Sequence, residues 1–166
     1  MNELTREAML NDLSEEQAAL IDFLSPLSDV EWHTLAREDG WSVHDIAAHV
    51  ADVHLTTVAL GGVVPHLTPA DVGVTLPMMP SGRVNIERLN MMRYQVNRGL
   101  SRDEVIRRLV KAFTLVRKAI KALDDDRFAG PGPYGPAETM REWFNAALLH
   151  GQGHRLQLER LYASRV

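Results

Sequence analysis

Ser101-Arg102-Asp103-Glu104-Val105-Ile106-Arg107-Arg108-Leu109-Val110-Lys111-Ala112-Phe113-Thr114-Leu115-Val116-Arg117-Lys118-Ala119-Ile120-Lys121-Ala122-Leu123 settles the fold class. Val105, Leu109, Ala112, Phe113, Val116, Ile120 and Leu123 recur at three- and four-residue steps, which is one apolar face of a helix. Gly99 stops whatever precedes it, and Ser101 to Glu104 supplies the cap. The helix runs to about Asp124. Beyond it, Asp124 to Pro136 carries Gly130-Pro131-Gly132-Pro133 and Gly135-Pro136 and reads as a loop.

Working outward, the same period predicts three more long helices. One spans about Thr5 to Leu24, with Met9, Leu13, Leu20, Phe23 and Leu24 spaced for one face. One spans Val43 to about Leu60. Asp39-Gly40 is its turn signal, Ser42 with Asp45 its capping-box variant, and Gly61-Gly62 its end. The last starts near Thr139, where Thr139 and Glu142 form a capping box, and runs to about Ala163. A shorter helix fits Arg83 to about Arg98, and Ser28 to Glu31 starts a single turn. Residues 61–82 hold four Gly and four Pro and read as a long loop. With neither strand alternation nor repeats, the expectation is an all-α four-helix bundle with one additional short helix and that long loop.

The chain has 166 residues, 18 Lys+Arg, 22 Asp+Glu, 7 His, no Cys and a net charge of −4. That length predicts a single domain over 1–166. Without cysteine there is no disulfide framework, zinc ribbon, iron–sulfur site or thiol nucleophile. The mild acidity argues against nucleic acid as a partner. Residues 1–13 mix charges and lack the order of a signal peptide. The longest stretch without Asp, Glu, Lys or Arg, 53–70, is broken by Gly and Pro and predicts no membrane span. A cytoplasmic location is the expectation, and 15 Arg against 3 Lys fits a GC-rich bacterial genome.

The histidines carry the chemistry. On the last helix, with His150 at zero, His154 lies at roughly +40° and Trp143, Ala147, Leu158 and Leu161 at roughly +20° to +80°. Both imidazoles therefore fall within an apolar stripe, one turn apart, at metal-ligand spacing. Two adjacent buried imidazoles would otherwise each need a separate partner. Gly151 and Gly153 lie between or beside them. Mid-helix glycines cost roughly 1 kcal/mol each relative to Ala, so this face is expected to need room for a neighbouring helix or a ligand. On the second long helix His49 stands where an apolar face meets Asp45 and Asp52, either of which could orient its ring. A lone core histidine is ordinarily hydrogen-bonded structure, and His49 alone would be read so. His33, His44, His54 and His66 are read as solvated or loop residues. Met78, Met79, Met91 and Met92 are read as packing or lining a pocket wall. Arg83, Arg88 and Arg93 could take an anionic group but are read as solvated charge.

Two segments resemble the DinB-like helix-bundle family, including its mycothiol-dependent maleylpyruvate isomerase branch. Gly40-Trp41-Ser42-Val43-His44-Asp45-Ile46-Ala47-Ala48-His49 is similar to the family's helix entrance followed by a histidine. Thr139 to Trp143, continuing through His150-Gly151-Gln152-Gly153-His154-Arg155-Leu156-Gln157-Leu158, is similar to its closing helix. The resemblance implies a four-helix bundle binding one divalent metal, Zn or Ni, through His49, His150 and His154. It also implies a homodimer, and a low-molecular-weight thiol cosubstrate that attacks an electrophile or assists an isomerisation of a small-molecule substrate. Three neutral imidazoles leave positions open at such an ion, where a thiol or water loses its proton easily. Three readings follow: a thiol-dependent transferase or isomerase, a hydrolase using water, and a non-catalytic metal-binding stress-response bundle.

Overall fold

The computed structural model describes residues 4–34, 40–62, 76–81, 84–133 and 139–163. These form seven helices: α1 (Arg6–Leu24), α2 (Asp29–Thr34), α3 (Val43–Gly61), α4 (Ile86–Asn97), α5 (Arg102–Lys121), α6 (Asp125–Ala129) and α7 (Met140–Ala163). Among the described residues there are two isolated β-bridges, Met78 with Val84 and Pro131 with Thr139, and no strand. The all-α bundle is therefore the fold.

The caps do what the sequence requires of them. The Ser101 hydroxyl accepts from the Glu104 amide while the Glu104 carboxylate accepts from the Ser101 amide, at the start of α5. Ser42 and Asp45 make the same reciprocal pair at α3, and Thr139 and Glu142 make it at α7. Each satisfies two backbone donors that a helix start leaves open. One short element was not expected: within the supposed loop after α5, Asp124 caps the five-residue α6, whose Phe128 is buried. A single buried aromatic anchors it, too little for a periodicity to register.

α1 and α3 each pack against both α5 and α7. The four long helices thus form a ring in the order α1, α5, α3, α7, with α1 and α3 on one diagonal. The stripe of α5 faces inward: Val105, Leu109, Ala112, Phe113, Val116 and Ile120 are fully buried. α3 also carries α2 and α4 on its outer side, so it is covered nearly all round. A helix apolar on every side is a buried one, and that overturns two of the histidine readings. His44 and His54 are not solvated; they are 3% and 0% exposed. His44 donates from Nε2 to the Leu100 carbonyl at 2.8 Å, and His54 donates from Nδ1 to Val50 at 2.9 Å. His33 is exposed, as read, and His66 lies outside the described residues, as do Arg83 and most of the long loop. Met78, Met79 and Met91 are exposed rather than packed.

α7 is pinned to α1 by a charged contact. The Arg155 Nε sits 3.0 Å from both oxygens of the buried Glu16, and its Nη1 reaches Glu159 at 2.6 Å. Burial pushes the Glu16 carboxyl up, with Arg155 pulling against it. A carboxylate so placed depends on its partner, and Arg155 directly follows His154 in the chain. No helix among the described residues is long and apolar enough to cross a membrane.

Candidate metal centre

α3 and α7 are neighbours in the ring, and their contact brings three histidines together. His49 comes from α3, and His150 and His154 from successive turns of α7. One ligand nitrogen from each lies within 4.8 Å of the others, and all three side chains are half-buried. Ring centroids are 5.1 Å apart for His49 and His150, 5.3 Å for His49 and His154, and 4.5 Å for His150 and His154. The two α7 histidines stand at the edge of its buried face rather than within it. That face is made by Met140, Phe144, Ala147, Leu148, Gly151 and Leu158.

The surroundings hold the rings in place. The His154 Nδ1 lies 3.1 Å from the Gln157 Oε1. An amide oxygen only accepts, so this contact places the proton on Nδ1 and leaves Nε2 as the ligating nitrogen. Trp41 meets the His49 ring edge-on at 5.2 Å and stacks on Tyr94 at 5.5 Å. The two aspartates that could have oriented His49 have structural bonds of their own. Asp45 caps α3, and Asp52 accepts from Asn97 and Arg108.

Gly151 explains one of the two helix-interior glycines. A Cβ there would come within 3.1 Å of the His54 Cε1. The His54 ring is itself packed on Phe113, 4.4 Å between centroids. The room expected on this face is thus used by a neighbouring helix at Gly151. At Gly153 nothing lies within 4 Å.

These residues fit a divalent ion. The donor set is three imidazoles, one of the sets that hold Zn with a position left open. The His150 Nδ1 is buried without a hydrogen-bond partner, an exception among buried polar atoms that calls for an explanation. Burial first, then the neighbouring His154 and His54, pull the His150 pKa down to about 4, so that ring is neutral and free to ligate at ordinary pH. Nitrogens bound tetrahedrally at Zn–N of about 2.0–2.1 Å would stand roughly 3.4 Å apart. Rotation of these half-buried rings would have to close that difference.

Two clefts open onto the group. One, of about 610 Å³, is walled by His49 and His150 together with Val53, Leu60, Leu89, Arg93 and Trp143. The other, of about 540 Å³, runs past His150, Gly153, His154 and Gln157. The Trp143 Nε1 donates to the Thr57 carbonyl at 3.0 Å and ties α7 to α3 beside the first cleft. Trp143 was placed on the correct face by helical phase. Arg93 is not the solvated charge that the sequence suggests: its side chain is 13% exposed and lines the cleft. Nothing in the α4 periodicity marks it out.

An all-α bundle with three histidines from two adjacent long helices, open to an apolar cleft, belongs to the class of helix bundles with a potential mononuclear centre. The chain is a member of the DinB superfamily, whose family model matches residues 12–158. No curated protein and no solved structure shows significant similarity to it.

Proposed function

We propose that this protein is a metal-dependent enzyme that uses a low-molecular-weight thiol, as an S-transferase or an isomerase, on a small electrophilic substrate. The observation that carries the reading is the convergence of His49, His150 and His154 at the wall of an apolar cleft large enough for a small molecule. A purely structural ion would be expected in a closed set of four protein ligands, whereas three leave a position for a reactant. When bound there, a divalent ion such as Zn or Ni would lower the pKa of a thiol or water and polarise an acceptor oxygen.

The chain's own residues supply the rest. His49, His150 and His154 hold the ion, and Gln157 fixes the His154 tautomer. Trp143, Leu89 and Val53 shed water from the substrate's apolar part. The chain has no cysteine, so a reacting thiol must come from a second small molecule. As further parts of the proposal, the protein works in the cytoplasm as a homodimer formed by helix faces. Leu149 and Leu156 on the outer side of α7, 56% and 43% exposed, support the dimer. A monomer mass by light scattering at high micromolar concentration would remove it.

The test is a screen of electrophiles with metal-loaded protein, with and without several thiols. Turnover that requires an added thiol is expected. Turnover without one would select hydrolysis, and bound metal with no turnover would select a non-catalytic bundle.

A further inference from the structure

Asp52 organises the polar side of the larger cleft. Its Oδ1 takes Arg108 through Nε at 3.1 Å and Nη2 at 2.7 Å, and its Oδ2 takes the Asn97 amide at 2.6 Å. Arg108 thus compensates the aspartate's charge in full. Arg93 is a second guanidinium beside the same carboxylate, with Nη2 3.3 Å from Oδ1. That contact is a long ion pair rather than a forked hydrogen bond, close enough that, against the burial that lowers the Arg93 pKa, Asp52 still pulls it up. Both Nε and Nη2 of Arg93 are buried without a hydrogen-bond partner. Guanidinium stays charged even where burial pulls its pKa down, as it does here. Arg108 compensates Asp52 from behind the lining, so Arg93 is the cationic group that the cleft wall itself presents. The rest of the lining is mainly apolar, with Val53, Leu89 and Trp143, and adds the uncharged Thr56, Thr57 and Asn90 beside the two histidines.

We infer that Arg93 is a specificity-determining residue that anchors the carboxylate of an otherwise apolar substrate, so that the cleft takes organic monoanions in preference to their neutral counterparts. The inference rests on the cleft being the substrate site. A guanidinium offers paired donors that match a carboxylate, and a small turn of the Arg93 side chain would bring the buried Nη2 edge to the cleft. A single cationic group suits a monoanion, and Asp52 close by disfavours a more highly charged group such as phosphate.

The probes are 4-phenylbutanoate and 4-phenylbutanamide, which share an apolar body and contain no electrophile. Calorimetric titration uses Zn-loaded protein and, in parallel, protein treated with chelator. The acid is expected to bind at least about tenfold more tightly than the amide in both forms. Arg93→Gln should abolish that preference and shift amide affinity less than about twofold, with unchanged melting temperature and metal content. Arg93→Lys, which keeps the charge without the fork, should retain part of the preference. Should Arg93→Gln fail to fold, the wild-type and Arg93→Lys titrations decide alone. Equal binding of acid and amide, no binding of either at millimolar concentration, or an acid preference that survives Arg93→Gln would overturn the inference. So would a preference lost on chelation, which would assign the carboxylate to the metal. Because no thiol is present, failure of thiol-dependent turnover leaves these outcomes untouched.

Discussion

Gly151 and Gly153 lie two residues apart on one helix and should respond to the same substitution in opposite ways. Replacing a mid-helix glycine by alanine gains roughly 1 kcal/mol of helix propensity. At Gly153 the new methyl meets open space, so Gly153→Ala should raise stability by up to about 1 kcal/mol in urea titrations. At Gly151 it meets a ring fixed between Val50 and Phe113. Overpacking a core costs about 1–3 kcal/mol, so Gly151→Ala should be neutral to destabilising. A clear gain at Gly151 would mean that His54 is not fixed there.

His54 also sets a pH dependence. Complete burial lowers its pKa from 6.5 to about 4, so the unfolded chain takes up the proton first. Stability therefore falls as pH drops below about 6.5 and goes on falling toward 4, by about 2–3 kcal/mol at pH 4.5. His150 is shifted in the same direction and adds to the slope. In metal-free protein, His54→Leu should remove roughly half of the stability difference between pH 7.5 and 4.5. An unchanged difference would show that His54 does not carry it.

Among the elements, α5 is the simplest to test. Phe113 is fully buried on its inward face, and Phe113→Ala should cost about 3–5 kcal/mol, the range for emptying an aromatic core position. A loss below about 1 kcal/mol would contradict the helix phase. α5 was legible in the sequence because one side of it faces water, so its apolar residues trace a single stripe. α3 was not. Wrapped by four neighbours, it has apolar residues at every angle, and one-stripe phasing put His44 and His54 outside a core that has no outside there. The α7 pair was found by its spacing but set too deep. The true inward line passes through Phe144, Leu148 and Gly151, and counting glycine as a gap hid it.

At the scale of the molecule, the ring of helices and the centre are separable. Each long helix buries its own apolar side chains in one shared core, so the fold does not need an ion to close it. Removing metal with a chelator should leave the helical circular-dichroism signal essentially intact, unlike a zinc finger, which unfolds without its metal. Loss of most of that signal would mean that the ion holds α3 against α7. Ring order was not legible from the sequence, since period gives each helix a face but not a neighbour. Arg93 escaped for a related reason: its meaning comes from Asp52 and Arg108, which reach it from two other helices.

His49, His150 and His154 are expected to act together as the ligands of one ion. Elemental analysis by plasma mass spectrometry, on tag-free wild-type protein and single alanine variants, tests this most directly. The wild type should carry about one divalent ion per chain, since one three-histidine group forms one site. His49→Ala, His150→Ala and His154→Ala should each lose most of it, while His33→Ala, an exposed position, should not. Full metal content in both His150→Ala and His154→Ala would contradict this and return the pair to a structural role.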